Sequence, residues 1–119
     1  MKTMHEIELK PIVFKTCRGY CYLVYDQIIM IQAHGNCSLV YTLDEADPIR
    51  VLHNLNFISR KYYNKTFFRC HKSFFINLRH AINLEVKSRK LCLTKGLVAM
   101  VSDVGLKILR QYSIKQNSL

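Results

Sequence analysis

Residues 67–78 read FFRCHKSFFINL, a stretch that interleaves aromatic side chains with a guanidinium, an imidazole, an ammonium and a hydroxyl. The aromatic residues are expected to anchor the segment in a core, and residues 67–71 are predicted as a short strand. His71, Lys72 and Ser73 are then presented at a bend, because an ammonium is costly to bury between two aromatic runs. Such donors satisfy phosphate oxygens and reach acceptors on guanine in the major groove.

Two polar residues of this stretch also have a structural interpretation. His71 and Asn77 could be buried, where they would hydrogen-bond loop backbone groups that otherwise lack a partner. We favour that interpretation for Asn77 and leave it as an alternative for His71. Residues 72–77 fit either a strand or a helical turn.

Basic charge is concentrated around the same stretch. The chain has 119 residues, one domain in length, with 18 Lys+Arg, 8 Asp+Glu and a formal net charge of +10. Residues 60–90 hold nine of the cations and a single acid, Glu85, which is nine minus one, or +8. Clustered base is typical of a protein that binds a polyanion, because neutralising phosphates releases condensed counterions. Charge alone leaves open a domain whose lysines are merely solvated.

The residues before this stretch are predicted to form strands and then a helix. Four short runs rich in Val, Ile, Tyr and Phe are separated by turn residues: Ile12–Cys17, Tyr20–Tyr25, Ile28–His34 and Cys37–Leu43. Asp47-Pro48 fits a helix N-cap followed by proline at the first helical position. Apolar residues recur from Val51 to Tyr62 at three- to four-residue spacing, which predicts an amphipathic helix over about 48–62.

The residues after it are predicted to form a three-stranded meander and a last helix. Ile82, Leu84 and Val86 alternate with polar residues, and strands over 90–94 and 97–101 follow. Ser102 is placed to cap a helix that carries Leu106 and Leu109 inward and Lys107 and Arg110 toward solvent. The fold class is therefore mainly β, with two short helices at the edges. The predicted domain covers 12–112, after a lead-in of 1–11 and before a frayed polar tail of 113–119.

Other classes of protein lack support in the sequence. No GxGxxG after a strand, GxxxxGK[ST], HExxH or GxSxG motif is present, so no enzyme activity and no cofactor are expected. No apolar run approaches the roughly 20 residues that span a bilayer, and no export signal opens the chain, which predicts a cytoplasmic protein without membrane insertion. Cys17, Cys21, Cys70 and His71 could in principle meet around zinc, but we expect the cysteines to be thiols that fill core space, and no metal.

The 67–78 stretch resembles the F-x-R-x-H-x-S-[aromatic/aliphatic]-x-x-N signature of the LytTR DNA-binding domain of bacterial response regulators. Tyr25–Ile31 is similar to the D-x-I-x-x-I segment of that family, and a short loop at Gly35-Asn36 and a strand follow it. The helix at 48–62, the hairpin at 82–94 and the helix start at Val101-Ser102 occur in the family's order. The resemblance covers nearly all of residues 12–112.

The resemblance implies an elongated arrangement of small antiparallel β-sheets that binds duplex DNA through loops, without a recognition helix, as a bacterial transcriptional regulator. Lys72 would be the main base reader, His71 and Ser73 would contact phosphates, and Lys107 and Arg110 would add backbone contacts. The full set of implied DNA-binding residues comprises three loops and two helix positions: Asn36, Cys37 and Ser38; His71, Lys72 and Ser73; Ser102 and Asp103; Lys107 and Arg110.

Two positions depart from the family's pattern. Family members often carry a basic residue where Asp103 stands, and an anion repels phosphate unless it accepts from a cytosine amino group. Its other interpretation is an acid that interacts favourably with the macrodipole of a helix. Cys37 stands where a polar reader is common. These departures leave open a second function, a protein-interaction or regulatory module that kept the fold and lost tight DNA binding.

The partners follow from these hypotheses. Double-stranded DNA is the expected partner, with a second copy on paired sites and a regulatory protein as further candidates. RNA binding is a third hypothesis, less favoured because the aromatic residues lie in patterns suited to a core rather than to base stacking.

Overall fold

The computed structural model describes the backbone of residues 11–117 and the side chains of residues 11–112. Within it, ten strands form three antiparallel sheets, and two helices flank them. The strands are β1 (Ile12–Thr16), β2 (Gly19–Leu23), β3 (Ile28–His34), β4 (Cys37–Thr42), β5 (Ile49–Val51), β6 (Phe67–His71), β7 (Phe74–Asn77), β8 (Ala81–Glu85), β9 (Lys90–Leu93) and β10 (Val98–Met100). The helices are α1 (Leu55–Tyr62) and α2 (Asp103–Asn117).

The central element is a five-stranded sheet with the order β5-β4-β3-β7-β6. The 67–78 stretch supplies its last two strands, since Phe68 pairs with Ile76 and Arg69 pairs with Phe75. Strand β7 then pairs with β3, where Gln32 lies opposite Phe74. The ambiguity over residues 72–77 is thus resolved in favour of a strand, and β6 becomes an edge of the sheet.

Both faces of this sheet are buried, and the aromatic residues of the stretch divide between them. Phe67 and Phe75 belong to one hydrophobic cluster, which also includes residues of β1, β2 and α1. Phe68 and Phe74 belong to a second cluster, which includes residues of β9, β10 and α2. All four phenylalanines are at most 8% exposed, which confirms the expected aromatic anchor. Asn77 is fully buried, and its side-chain amide donates to the carbonyls of Tyr25 and Ile28, as expected.

The meander and the last helix are confirmed. The three-stranded sheet has the order β10-β9-β8, and the Ser102 hydroxyl accepts a hydrogen bond from the Gly105 N–H at 3.0 Å, the geometry of an N-cap. Leu109 is buried and Leu106 packs against the second cluster, whereas Lys107 and Arg110 are exposed.

The predicted start of the first helix is wrong. Residues 49–51 form β5, in which Ile49 lies opposite Val40, and α1 begins only at Leu55. Its N-cap is Asn54, whose side chain accepts from the Phe57 N–H at 2.8 Å, rather than Asp47. The apolar residues of the predicted helix are nevertheless inward-facing, because strand pairing with β4 turns Val51 into the same core.

One further expectation, on the burial of the cysteines, needs correction, and the last helix runs further than predicted. The backbone of α2 is helical as far as Asn117, so a helix extends into the predicted tail, while the lead-in up to residue 10 lies outside the described residues. The principal dimensions of the molecule are 43 × 42 × 25 Å. Of the five cysteines only Cys70 is fully buried; Cys17 is exposed, and Cys21, Cys37 and Cys92 are half-buried.

Candidate nucleic-acid interface

Three loops meet at one edge of the molecule. The β6–β7 turn (71–73) lies beside the tip of the β3–β4 hairpin, because the Ala33 N–H donates to the Ser73 carbonyl at 2.9 Å. The start of α2 lies on the other side of the same turn, where the Ser102 N–H donates to the Cys70 carbonyl at 2.9 Å. We call residues 34–37, 71–73 and 102–104 the loop edge. The 71–73 turn and the start of α2 at 102–103 therefore lie side by side.

The 71–73 turn is held by two side chains of β6. Arg69 donates to the Lys72 carbonyl through both Nε and Nη2, and its Nη1 donates to the Asn56 side chain on α1 at 2.6 Å. Burial lowers the pKa of the Arg69 guanidinium, which remains a cation at neutral pH. His71 Nδ1 accepts from the Ser73 N–H at 3.0 Å, so in the neutral ring Nε2 carries the proton. The turn is therefore fixed before any ligand arrives.

Lys72 is exposed at the apex of this fixed turn. His71 and Ser73 on either side are half-buried, and the His71 ring lies against Phe74 with the ring centroids 5.8 Å apart. The imidazole is thus neither fully buried nor free, since one nitrogen shapes the turn and the other remains available as a donor. The arrangement presents an ammonium and an N–H donor on a rigid projection.

The first predicted loop divides into an exposed part and a buried part. Asn36 is exposed at the hairpin tip, where Gly35 adopts a φ of 61°, and Cys37 is half-buried opposite His34. Ser38 is fully buried, and its hydroxyl donates to the His53 carbonyl at 2.7 Å. The predicted DNA contact by Ser38 is therefore wrong, because strand alternation turns this side chain into the interior.

The third predicted loop is occupied by contacts within the protein. The Ser102 hydroxyl donates to the Cys70 carbonyl at 3.2 Å, so its proton is used inside the fold rather than offered to a phosphate. Asp103 forms an ion pair with Arg89 in the β8–β9 turn. This pair neutralises the anion at the first position of α2, and it accounts for an acid at this position without any contact to cytosine.

Close packing of α2 against β6 fixes the distance between the second and third loops. A methyl group on Gly105 would overlap with the carbonyl oxygen of Cys70, so only glycine fits at this helix position. The Cys70 thiol donates to the Met100 carbonyl at 3.3 Å, and burial raises its pKa to about 12. This cysteine is therefore a packed, protonated thiol that joins β6 to β10.

The basic cluster of the sequence does not form one patch. Arg79 follows β7, at the end of the sheet opposite the 71–73 turn, and pairs with Asp26 at 3.0 Å. Arg89 is paired with Asp103, and Arg69 is engaged with backbone and amide oxygens. Within residues 11–112, Lys72 is the cation at the apex of the loop edge, while Lys107 and Arg110 lie exposed on α2.

Sequence reasoning missed the supporting residues. Arg69 lies inside the quoted signature, and a guanidinium two residues before a turn was a signal for a side chain that braces it. Gly105 in the first turn of the predicted last helix was a second signal, because glycine is a poor helix former and its presence there indicates close packing. The pairing of Arg89 with Asp103 had no local signal, since the two residues are brought together by the meander.

Two negative findings concern the residues that the structure describes. No group of three or more His, Cys, Asp or Glu side chains is close enough to hold a metal ion. No helix in the same part of the chain is long and apolar enough to cross a membrane.

Comparison with known proteins agrees with the fold. The family model of the LytTr DNA-binding domain matches residues 18–113. Among solved structures, the chain is similar to the LytTr DNA-binding domain of a Bacillus cereus protein assigned as a methyl-accepting/DNA response regulator. The match has a TM-score of 0.71 and 18% sequence identity, and it covers 86% of this chain and 94% of the other. No curated protein matches.

The fold and the loop edge thus define a β-sheet DNA-binding domain that presents loops rather than a recognition helix. The chain belongs to the LytTR family of DNA-binding domains, which is typical of transcriptional response regulators. This family is a DNA-binding one and not a catalytic one.

Proposed function

We propose that the chain reads duplex DNA through the loop edge and acts in transcriptional regulation in the bacterial cytoplasm. The observation that carries this proposal is the convergence of the three loops, with Lys72 exposed at the apex of a turn that Arg69 and His71 hold rigid. A projection that is already ordered loses little conformational freedom when it enters a groove. The major groove, about 12 Å wide, is the one with a distinct pattern for each base pair.

The roles follow from exposure and hydrogen-bonding capacity. Lys72 donates to guanine acceptors, and His71 Nε2 and Ser73 donate to phosphate oxygens. Asn36 and Cys37 approach the neighbouring groove from the hairpin tip, with Asn36 as the polar contact. Ser102 and Asp103 position the third loop, since both side chains are engaged within the protein.

Lys107 and Arg110 contact the phosphate backbone from α2, where both are exposed. A second copy on a paired site, and a protein that regulates the domain, extend the same proposal to partners. Neither is needed for the loop edge to bind one site.

The test is a selection of bound duplexes from random DNA at two salt concentrations. Enrichment of a motif, with an affinity that falls by a log–log slope of about −0.9 per phosphate neutralised, is the expected result. Flat binding that does not depend on salt would instead favour a protein-interaction module that retains the fold.

Lys72→Ala tests the assignment of the apex. Because Lys72 is assigned to bases and Lys107 to the backbone, Lys72→Ala should lower affinity for the selected motif by at least tenfold and relax base preference at one position. Lys107→Ala, the matched loss of one charge, should weaken all sequences alike, by a few-fold. Both are measured by titration against the motif and a scrambled duplex. An unchanged affinity and preference in Lys72→Ala would contradict the assignment of the second loop.

A further inference from the structure

A groove of about 560 Å³ runs along the free edge of β6, between α1 and α2. Its volume lies within the range of about 300–1,000 Å³ that small-molecule sites occupy. The apolar side chains that line it are Phe68, Phe75, Leu78, Tyr63, Ile108 and Tyr112. Tyr63, Ile108 and Tyr112 are 71%, 44% and 43% exposed, so the fold leaves a sizeable aromatic and aliphatic surface facing solvent here.

The charged groups of the groove are all cations. Arg60, Lys65 and Arg69 line it, and none of its lining residues within the described chain is acidic. An apolar surface with a cationic rim is complementary to a molecule with an apolar body and a negative head. Both Arg60 and Lys65 lie toward the end of α1 and the loop that follows it, whereas Arg69 lies on the edge strand itself.

Arg69 connects the groove to the loop edge. Arg69 is one of the lining residues, and its guanidinium donates to the Lys72 carbonyl and to Asn56 Oδ1. A carboxylate in the groove is a stronger acceptor for a guanidinium than a neutral carbonyl or amide oxygen. A carboxylate that takes the Nε and Nη2 donors of Arg69 competes with the Lys72 carbonyl, the contact that holds the 71–73 turn.

We propose that this groove binds a small amphiphile, a single carboxylate on an aromatic or alkyl body, and that its occupation weakens DNA binding by drawing Arg69 away from the 71–73 turn. The weakening of DNA binding rests on the proposed function, whereas ligand binding in the groove does not. A ligand shifts the turn only by its differential affinity for the two positions of Arg69, so the effect on DNA is modest.

The direct test is calorimetric titration of the whole chain with 2-naphthoate, and with 2-naphthylmethanol as the neutral analogue. A fragment of this size is expected to bind with a dissociation constant on the order of 0.1 mM. The alcohol should bind at least fivefold more weakly, because it lacks the charge that the cations attract. Equal binding of acid and alcohol would overturn the assignment of an anionic ligand.

Matched variants locate the site. Ile108→Glu places an anion on the groove wall and should weaken naphthoate binding at least tenfold, whereas Val104→Glu on the same helix, outside the lining, should change it less than twofold. Lys65→Gln should weaken naphthoate but not the alcohol, and Lys61→Gln, outside the lining, should affect neither. Circular dichroism confirms that each variant is folded. Naphthoate binding that survives Ile108→Glu would overturn the proposed site.

The effect of the groove on DNA binding is measured as the ratio of DNA affinities with and without saturating naphthoate. The wild-type chain should lose about three- to tenfold, and Ile108→Glu should show no change in this ratio. Full occupation of the groove without any loss of DNA affinity would overturn the role of Arg69.

Failure of the proposed function would give a different result. In that case the chain would not bind DNA even before naphthoate is added. A dimer that naphthoate dissociates would show that the groove receives a second copy instead, and would also overturn the proposal.

Discussion

The two hairpin tips that stand side by side at the loop edge are held in different ways. The 71–73 turn is braced by Arg69 and by the His71 ring, and α2 packs against the strand that leads into it. The tip at Gly35-Asn36 relies on the pairing of β3 with β4 and on the glycine's left-handed conformation. Rigid support and an exposed cation thus coincide in one turn. DNA affinity should therefore depend strongly on the braced turn and weakly on the Gly35-Asn36 tip.

Gly105→Ala breaks the support of the braced turn and has the largest expected effect. A Gly→Ala change inside a helix normally stabilises, by about 1 kcal/mol, but here the added methyl meets the Cys70 carbonyl. We expect the free energy of unfolding to fall by about 1–3 kcal/mol, as for overpacked cores, and motif affinity to fall more than tenfold. Urea unfolding and DNA titration measure the two effects.

Val104→Ala is the control for this helix, because Val104 is 67% exposed. It should leave unfolding unchanged or slightly improved. A more stable Gly105→Ala protein would show that α2 can move away from β6 without loss, and the close approach would then have no role in the interface.

Arg69→Lys keeps the charge but removes the planar guanidinium that reaches Lys72 and Asn56 together. We expect motif affinity to fall about three- to tenfold while the salt dependence stays the same, because the number of cations is unchanged. Affinity for scrambled DNA should hardly move. Asn56→Ala, which leaves the contact with the Lys72 carbonyl in place, should have a smaller effect; a loss equal to that of Arg69→Lys would place the support in α1 instead.

Asn36→Ala tests the unbraced tip and has the smallest expected effect, about two- to threefold on motif affinity. Ser38→Ala two residues further should leave DNA affinity unchanged at 25 °C but lower the free energy of unfolding by about 1 kcal/mol, because it leaves the His53 carbonyl without its donor. The two variants therefore distinguish a residue that contacts DNA, Asn36, from one that stabilises the fold, Ser38. A tenfold loss in Asn36→Ala would show that both tips contribute equally.

Much of the fold could be predicted because the local sequence patterns favour the same secondary structure that the tertiary packing requires. The boundaries of β3, β6 and the meander follow from alternation and turn residues, and the cap at Ser102 follows from its hydroxyl. The start of α1 could not be predicted in the same way. Asp47-Pro48 carries a genuine helix signal, but residues 49–51 gain strand pairing with β4, a contact distant in sequence, and Asn54 is then left to cap the helix.

The candidate site likewise has features that the sequence predicts and features that depend on tertiary contacts. Sequence alone identified the turn that carries Lys72, because three polar residues between aromatic runs must leave the core. The sequence could not show that Ser38 points inward. Strand alternation separates two sets of side chains, but the pairing register decides which set faces the core. Nor could the sequence show that the third loop is occupied by its own contacts, because the partner of Asp103 comes from a different turn.

A mainly β domain with a cationic turn between aromatic anchors follows from the amino-acid sequence, because hydrophobic burial and the cost of burying an ammonium act on neighbouring residues. Which cations remain available depends on how the chain folds. Antiparallel pairing sends Arg79 to the opposite end of the sheet, and the meander brings Arg89 onto Asp103. Charge is additive along a chain, but electrostatic interactions depend on distance in space, which is set by the packing of the three sheets.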